Sequence, residues 1–198
     1  AAPRTDGRNS VALDIARAAV DLTGKELLYV DVVMCRDKSK VAACYDGIAA
    51  QVMERLDRGQ DVAMLCLGDA SLYASQSNIS RRVAAAGYEA ETVAGVTSFC
   101  ACAARLGVSL TSPRLPLRIL PGDYPDLATE LAAPGTCLIM KSGRELAGVK
   151  RLIREGGLHG RARMVVNCGM PDETVYYDIE PAQGGYFSTI LIGEETEL

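Results

Sequence analysis

Gly68-Asp69 and Thr97-Ser98 are the residue pairs of this chain with the clearest chemical use, and both follow apolar runs that end in turns. Val62 to Leu67 is unbroken apolar sequence that stops at Gly68-Asp69, the pattern of a strand buried on both faces that delivers its C-terminal end to a crevice. In open parallel α/β sheets, loop backbone and helix N-termini converge beyond such strand ends, and small molecules bind there. Glu89 to Val93 leads in the same way into Gly95-Val96-Thr97-Ser98 and then into an Ala- and Cys-rich helix over Phe99–Leu106. Thr97 or Ser98 is placed to cap that helix, leaving backbone N–H groups aimed at an anionic ligand group. The expectation is that residues 67–72 and 95–99 form neighbouring lips of one cavity.

Other chemistry is sparse. No Ser-His-Asp or paired-carboxylate constellation accompanies these turns, and the sequence contains neither a phosphate-cradling loop nor a G-x-G-x-x-G fingerprint. The sole histidine, His159, lies in the Gly-rich stretch 156–160 and reads as an exposed turn residue. Seven cysteines are an odd number with no C-x-x-C pair, and several sit inside apolar runs as small hydrophobes, so the reading is a reducing cytoplasm and no metal centre. Arg36, Lys38 and Lys40 crowd a short segment, 35–40, read as a solvated basic loop.

The elements that must position the turns follow from periodicity. Ser10 is an N-cap candidate, with Val11, Ile15, Ala18 and Leu22 at helical spacing before Gly24. Glu26 to Met34 reads as a strand, and Val41 to Arg58 as a long amphipathic helix with Ala42, Tyr45, Ile48, Ala49, Val52, Met53 and Leu56 on one face. Ser71 to Ala86 reads as a helix with Ile79 and Val83 inward. Strand and helix alternating in this way imply right-handed crossovers and a mostly parallel sheet.

After Gly107 the composition shifts, and Pro113 and Pro116 make a stiff connector, so the expected domains are 1–112 and 113–198. The second half reads as a strand (117–120), a helix (125–132), a buried strand (136–141), a helix (145–155) and three closely spaced strands (163–168, 174–179, 186–192). Such close succession favours antiparallel neighbours and a mixed sheet. The lead-in Ala1–Asn9 reads as a loop or arm. A formal net charge of -4 provides no basic field for nucleic acid, and no apolar run approaches the roughly 20 residues that span a bilayer.

The segments GDASLYAS, GVTSFCACAARLG, PLRILPG, LIMKSGREL and YFSTILI, in this order and spacing, resemble the tetrapyrrole (corrin) C-methyltransferases. The resemblance is closest to the subfamily that methylates C20 of precorrin-2 or of its cobalt-containing counterpart, and it covers about Ser10 to Ile192. It implies a two-domain α/β architecture and transfer of a methyl group from S-adenosylmethionine, with S-adenosylhomocysteine as product. Carried over by motif, the cofactor shell is Leu67, Gly68, Asp69, Leu72, Thr97, Ser98, Met140, Ser188 and Thr189. Asp69 either meets polar cofactor groups or holds its turn. The competing readings are Met140 as core and Ser188 and Thr189 as outward strand residues.

A methyl sulfonium is already an activated electrophile, so the resemblance asks the protein for in-line approach and exclusion of water rather than for a named general base. The acceptor it implies bears many carboxylates, which makes Lys141 and Arg144 candidates to hold it, with Arg36, Lys38 and Lys40 behind them. It further implies a cytoplasmic homodimer with no nucleic-acid or membrane partner. Members of this family begin with a strand ending in Gly-Pro-Gly-Asp, ahead of the point matched by Ala1–Asn9. That turn is not in this sequence, and the expectation is that the polypeptide by itself lacks a central strand, part of the substrate cleft and hence activity. The alternatives are a family member acting at another ring position or on another acceptor, and a non-catalytic cofactor-binding fragment.

Overall fold

The computed structural model describes residues 10–33, 35 and 37–193. The expected arm at Ala1–Asn9, the last residue of the expected Glu26–Met34 strand and the basic residue Arg36 lie outside the described residues. By their internal contacts the residues fall into two units, 1–95 and 96–198.

In the first unit, the Ser10 hydroxyl accepts the Leu13 N–H at 3.3 Å and starts helix α1, Val11–Ala19. Leu13 is its buried residue, whereas Ile15, at one of the positions read as helically spaced apolar, is 55% exposed. Helix α2, Lys38–Leu56, begins earlier than the apolar pattern alone suggests. The Asp37 carboxylate accepts the N–H groups of Ser39 and Lys40, so the segment read as a basic loop is instead a capped first turn carrying Lys38 and Lys40. Helix α3, Gln76–Ala85, begins five residues later than expected, because residues 71–75 are folded into turns with Tyr73 at φ 51°. Ile48, Ala49 and Val52 of α2 bury against Ile79 and Val83 of α3, and Arg82 Nε meets Asp46 Oδ1 at 2.5 Å across the pair.

The three segments of this unit expected as strands are not strands in the structure: 26–33, 62–67 and 89–93 carry no ladder pairing among the described residues. Alternation explains what they do instead. Val30, Val32, Val62 and Met64 lie against the α2–α3 cluster, while the alternate side chains Tyr29, Val33 and Leu65 are exposed. Each of these two segments therefore covers the helices with one face and leaves side chains of the other exposed; for Val62–Leu67 this corrects the expectation of burial on both faces.

The second unit holds helix α4, Ser98–Leu106, and a five-stranded sheet. The strands are β1 (Leu117–Pro121), β2 (Thr136–Met140), β3 (Ala162–Val166), β4 (Thr174–Tyr176) and β5 (Ser188–Ile192), in the order β1-β2-β5-β3-β4. Only β1 and β2 are parallel, joined through helix α5 (Leu127–Ala132); β5 runs antiparallel to both β2 and β3, so the sheet is mixed as the strand spacing implies. Helix α6, Leu146–Glu155, buries Val149 and Ile153 in a core shared with Ile139, Met164, Ile179 and Ile190. A short 3-10 turn, His159–Arg161, carries the exposed His159.

The chain is thus α/β, with helices and a mixed sheet. The units divide at Gly95–Val96, ahead of α4, because α4 packs on β5. The proline-bearing connector at 113–116 lies inside the second unit, and the division at 112–113 stays a proposal about independently folding domains. Ile190 lies in β5 between β2 and β3 with no exposed surface. Ile190→Ala is expected to cost about 2–5 kcal/mol in urea denaturation, and Ile15→Ala to stay within about 0.5 kcal/mol of the parent.

Candidate functional site

The Gly68-Asp69 turn and Gly95 are in contact, and Asp69 makes the contact. Its Oδ1 accepts the Ser71 N–H at 2.8 Å and the Ser71 hydroxyl, and its Oδ2 accepts the Gly95 N–H at 2.8 Å. The Ser71 hydroxyl, followed by the Gly95 and Ser71 amides, holds the Asp69 carboxyl below its ordinary value of 3.8. Both carboxylate oxygens are therefore engaged within the protein, and Asp69 holds the turn. Gly95 is required by space: a Cβ there would sit 2.1 Å from the Gly68 carbonyl oxygen, closer than any side chain fits. Gly68 and Gly95 both present exposed backbone, with Leu67 and Leu72 half-buried beside the turn.

In the second unit, Thr97 occupies the N-cap position of α4 with extended backbone, but its hydroxyl makes no capping bond. The expectation that Thr97 or Ser98 caps the helix is corrected here: Ser98 is the first helical residue and Thr97 caps by position alone. The Thr97 Oγ1 is buried with no protein partner, the one hydroxyl of the expected cofactor shell in that condition. Ser188 and Thr189 are buried at 3% and 5% exposure, which removes the reading of them as outward strand residues. The Ser188 hydroxyl is already used: it accepts the Gly185 N–H at 2.9 Å and donates to the Gly185 carbonyl at 2.8 Å.

Met140 pairs with Thr189 across β2 and β5 and is only half-buried, at the C-terminal end of its strand. The chain then bends sharply. Lys141 takes φ 54°, and Ser142 is fully buried with its Oγ unpaired. The exit of β1 lies against this bend: a Cβ on Gly122 would meet Ser142 Cα at 2.7 Å. Lys141 and Arg144 are both exposed on this loop, and Arg144 forms no ion pair among the described residues. Lys38 and Lys40 are on α2 of the first unit, so they belong to a separate element.

Sequence reasoning named the turns, Gly95 among them without assigning it a contact, and missed Ser142. Gly95 had a usable signal, a glycine directly after an apolar run and two residues ahead of the cap; Ser142 had only the Ser-Gly that follows TCLIMK. No group of three or more His, Cys, Asp or Glu able to hold a metal occurs among the described residues.

Gly95→Ala is expected to force the two turns apart at a cost of about 1–3 kcal/mol and to raise the amide exchange rates of residue 95 and Ser71. Asp69 also sets a pH dependence. Its folded value is lowered, so its contribution is complete above the ordinary carboxylate value of 3.8, declines below it and is lost as pH falls through the folded value. The Gly95 amide resonance should accordingly hold its position from neutral pH down to that range and then titrate. In Asp69→Asn it should not titrate there.

The model of the family described as Tetrapyrrole (Corrin/Porphyrin) Methylases matches residues 4–180. A cobalt-precorrin-2 C(20)-methyltransferase of Salmonella typhimurium is 29% identical over 199 residues, covering 96% of this chain and 82% of that protein. Among solved structures, a cobalt precorrin-4 methyltransferase of cobalamin biosynthesis superposes with a TM-score of 0.69 at 19% identity, over 86% of this chain and 75% of that one. A uroporphyrin-III C-methyltransferase from Thermus thermophilus, complexed with S-adenosylhomocysteine, gives a TM-score of 0.59 at 19% identity, over 84% and 76%. At those identities the two structural likenesses establish the fold. Taken with the match over residues 4–180, they place this chain in the tetrapyrrole (corrin/porphyrin) methylase family, and it is a methyltransferase.

Proposed function

We propose that this chain takes part in cobalamin biosynthesis, transferring the methyl group of S-adenosylmethionine to C20 of precorrin-2 or of its cobalt complex. The observation that carries the reading is the contact of the Gly68-Asp69 turn with Gly95, which presents bare backbone at the end of the 62–67 segment. The C20 position is supported by the similarity to the Salmonella enzyme, and the cofactor by the family and by the S-adenosylhomocysteine complex of the Thermus relative.

The residues fit such a cofactor. It bears no phosphate, so no phosphate-cradling loop is needed, and Asp69 holds the turn through Ser71 and Gly95. The orphaned Thr97 hydroxyl is a polar group that a ligand atom would satisfy, and the unpaired Ser142 hydroxyl is a second. When bound, S-adenosylmethionine supplies an electrophilic methyl group. Leu67 and Leu72 would keep water from the reacting centre, and the exposed Lys141 and Arg144 would orient the acceptor's carboxylates. Arg144→Ala is expected to raise the KM for the tetrapyrrole by about fivefold, about 1 kcal/mol, and to leave the affinity for S-adenosylhomocysteine unchanged.

A reading in which the methyl goes to another ring position has the precorrin-4 methyltransferase fold in its favour. The deciding experiment supplies methyl-labelled S-adenosylmethionine with precorrin-2, with its cobalt complex and with precorrin-4. The proposal expects label at C20 of a precorrin-2 species. Label only on precorrin-4, or S-adenosylhomocysteine binding with no transfer to any of the three, would overturn it.

A further inference from the structure

A cavity of about 440 Å³ opens in the first unit beside the start of α2, lined by Lys38, Val41, Ala42 and Tyr45 of that helix and by Asn78 and Arg82 of α3. Its volume is that of a small-molecule site. Val41, Ala42 and the Tyr45 ring form an apolar wall, and the Arg82 guanidinium lies over that ring, 5.5 Å from its centroid. Two bonds fix Arg82 there: Nε donates to Asp46 Oδ1 at 2.5 Å and Nη1 to the Asn78 carbonyl at 2.9 Å. Arg82 Nη2 has no partner among the described residues, and neither has the Lys38 ammonium. The neighbouring acids are occupied, Asp46 by Arg82, and Asp37 by the Ser39 hydroxyl and the amides of Ser39 and Lys40. Two cations with unspent donors and an apolar wall thus line one cavity.

We propose that this cavity seats a carboxylate on a short aliphatic stem, which, on the methyl-transfer reading proposed above, is an acid arm of the tetrapyrrole acceptor. The methylenes of the stem cover Val41, Ala42 and the Tyr45 ring, and the carboxylate accepts from Arg82 Nη2 and from Lys38. Arg82 suits the task because its planar fork is already held by two bonds, so little side-chain freedom is lost when a third forms. Lys38, exposed in the first turn of α2, closes on the ligand from solvent. A bare phosphate would use the cations and leave the apolar wall wet, so the stem selects the carboxylate. The cavity is also joined to the turn after the 62–67 segment. Tyr45 donates its hydroxyl to the Ser75 hydroxyl at 3.3 Å, and Ser75, at the N-cap position of α3, ends the stretch 68–75 that Asp69 ties to Gly95.

The test titrates uroporphyrin III, a stable tetrapyrrole with carboxylate arms, into the whole chain in the absence of methyl donor. Porphyrin fluorescence reports binding, and the rate at which iodoacetamide alkylates Cys35, an exposed thiol on the cavity wall, reports its place. The proposal expects saturable binding that slows alkylation of Cys35. Lys38→Gln weakens it about fivefold, and Lys25→Gln leaves it within about twofold of the parent. Lys25 is exposed at the other end of the 26–33 segment, so both substitutions remove one positive charge and only one of them touches the cavity. No binding, binding that the two substitutions weaken alike, or binding that leaves Cys35 alkylation unchanged in the parent protein would overturn the inference. S-adenosylhomocysteine affinity, measured on the same samples, separates the two failures. If it is intact, those outcomes count against the cavity alone, whereas its absence counts against the methyl-transfer reading.

Discussion

One carboxylate joins the parts of the first unit that matter for chemistry. Asp69 accepts from Ser71 on one oxygen and from Gly95 on the other, so the turn after the 62–67 segment and the entry to the next turn are held as one object. A charged acceptor is suited to this because bonds from N–H and O–H to an ionised oxygen are roughly twice as strong as neutral ones. It works only because residue 95 has no side chain: the Gly68 carbonyl already fills the place a Cβ would take.

The two units show how differently one chain can satisfy its backbone. In the second, β5 is laddered on both sides and wholly buried, and the core under α6 closes around Ile139, Met164 and Ile190. In the first, extended segments pack one face onto α2 and α3 and have no strand partners among the described residues. Val93, 79% exposed, belongs to a run whose composition reads as strand. Polar contacts add to this: Glu26 accepts from Arg55 Nε of α2 at 2.9 Å, and the Asp31 carbonyl accepts the Cys44 thiol at 3.3 Å.

This contrast also marks what was legible in the sequence. The second unit could be read well because its signals were local and strong: after Thr136 the segment CLIM is apolar throughout and lies in a strand buried along most of its length, and Leu146, Val149, Leu152 and Ile153 repeat at helical spacing. The start of α2 was misread because the charge of Lys38 and Lys40 was taken as loop character, while Asp37 acted as a cap. The strands of the first unit were misread because apolar composition reports a wish for burial and says nothing about whether a ladder partner is at hand. At the site, motif resemblance led to Asp69, Thr97, Ser188 and Thr189, but not to which of their oxygens were already spent. That depends on partners such as Gly95 and Gly185, far away in sequence or unremarkable in type.

The central claim is that the Asp69-tied pair of turns holds the nucleoside of the methyl donor. Amide chemical shifts of the labelled protein, followed while S-adenosylhomocysteine is added, test it most directly. The account predicts that Gly68, Ser71 and Gly95 move together with one saturation curve. Saturable binding that leaves all three unmoved and shifts residues elsewhere would contradict it.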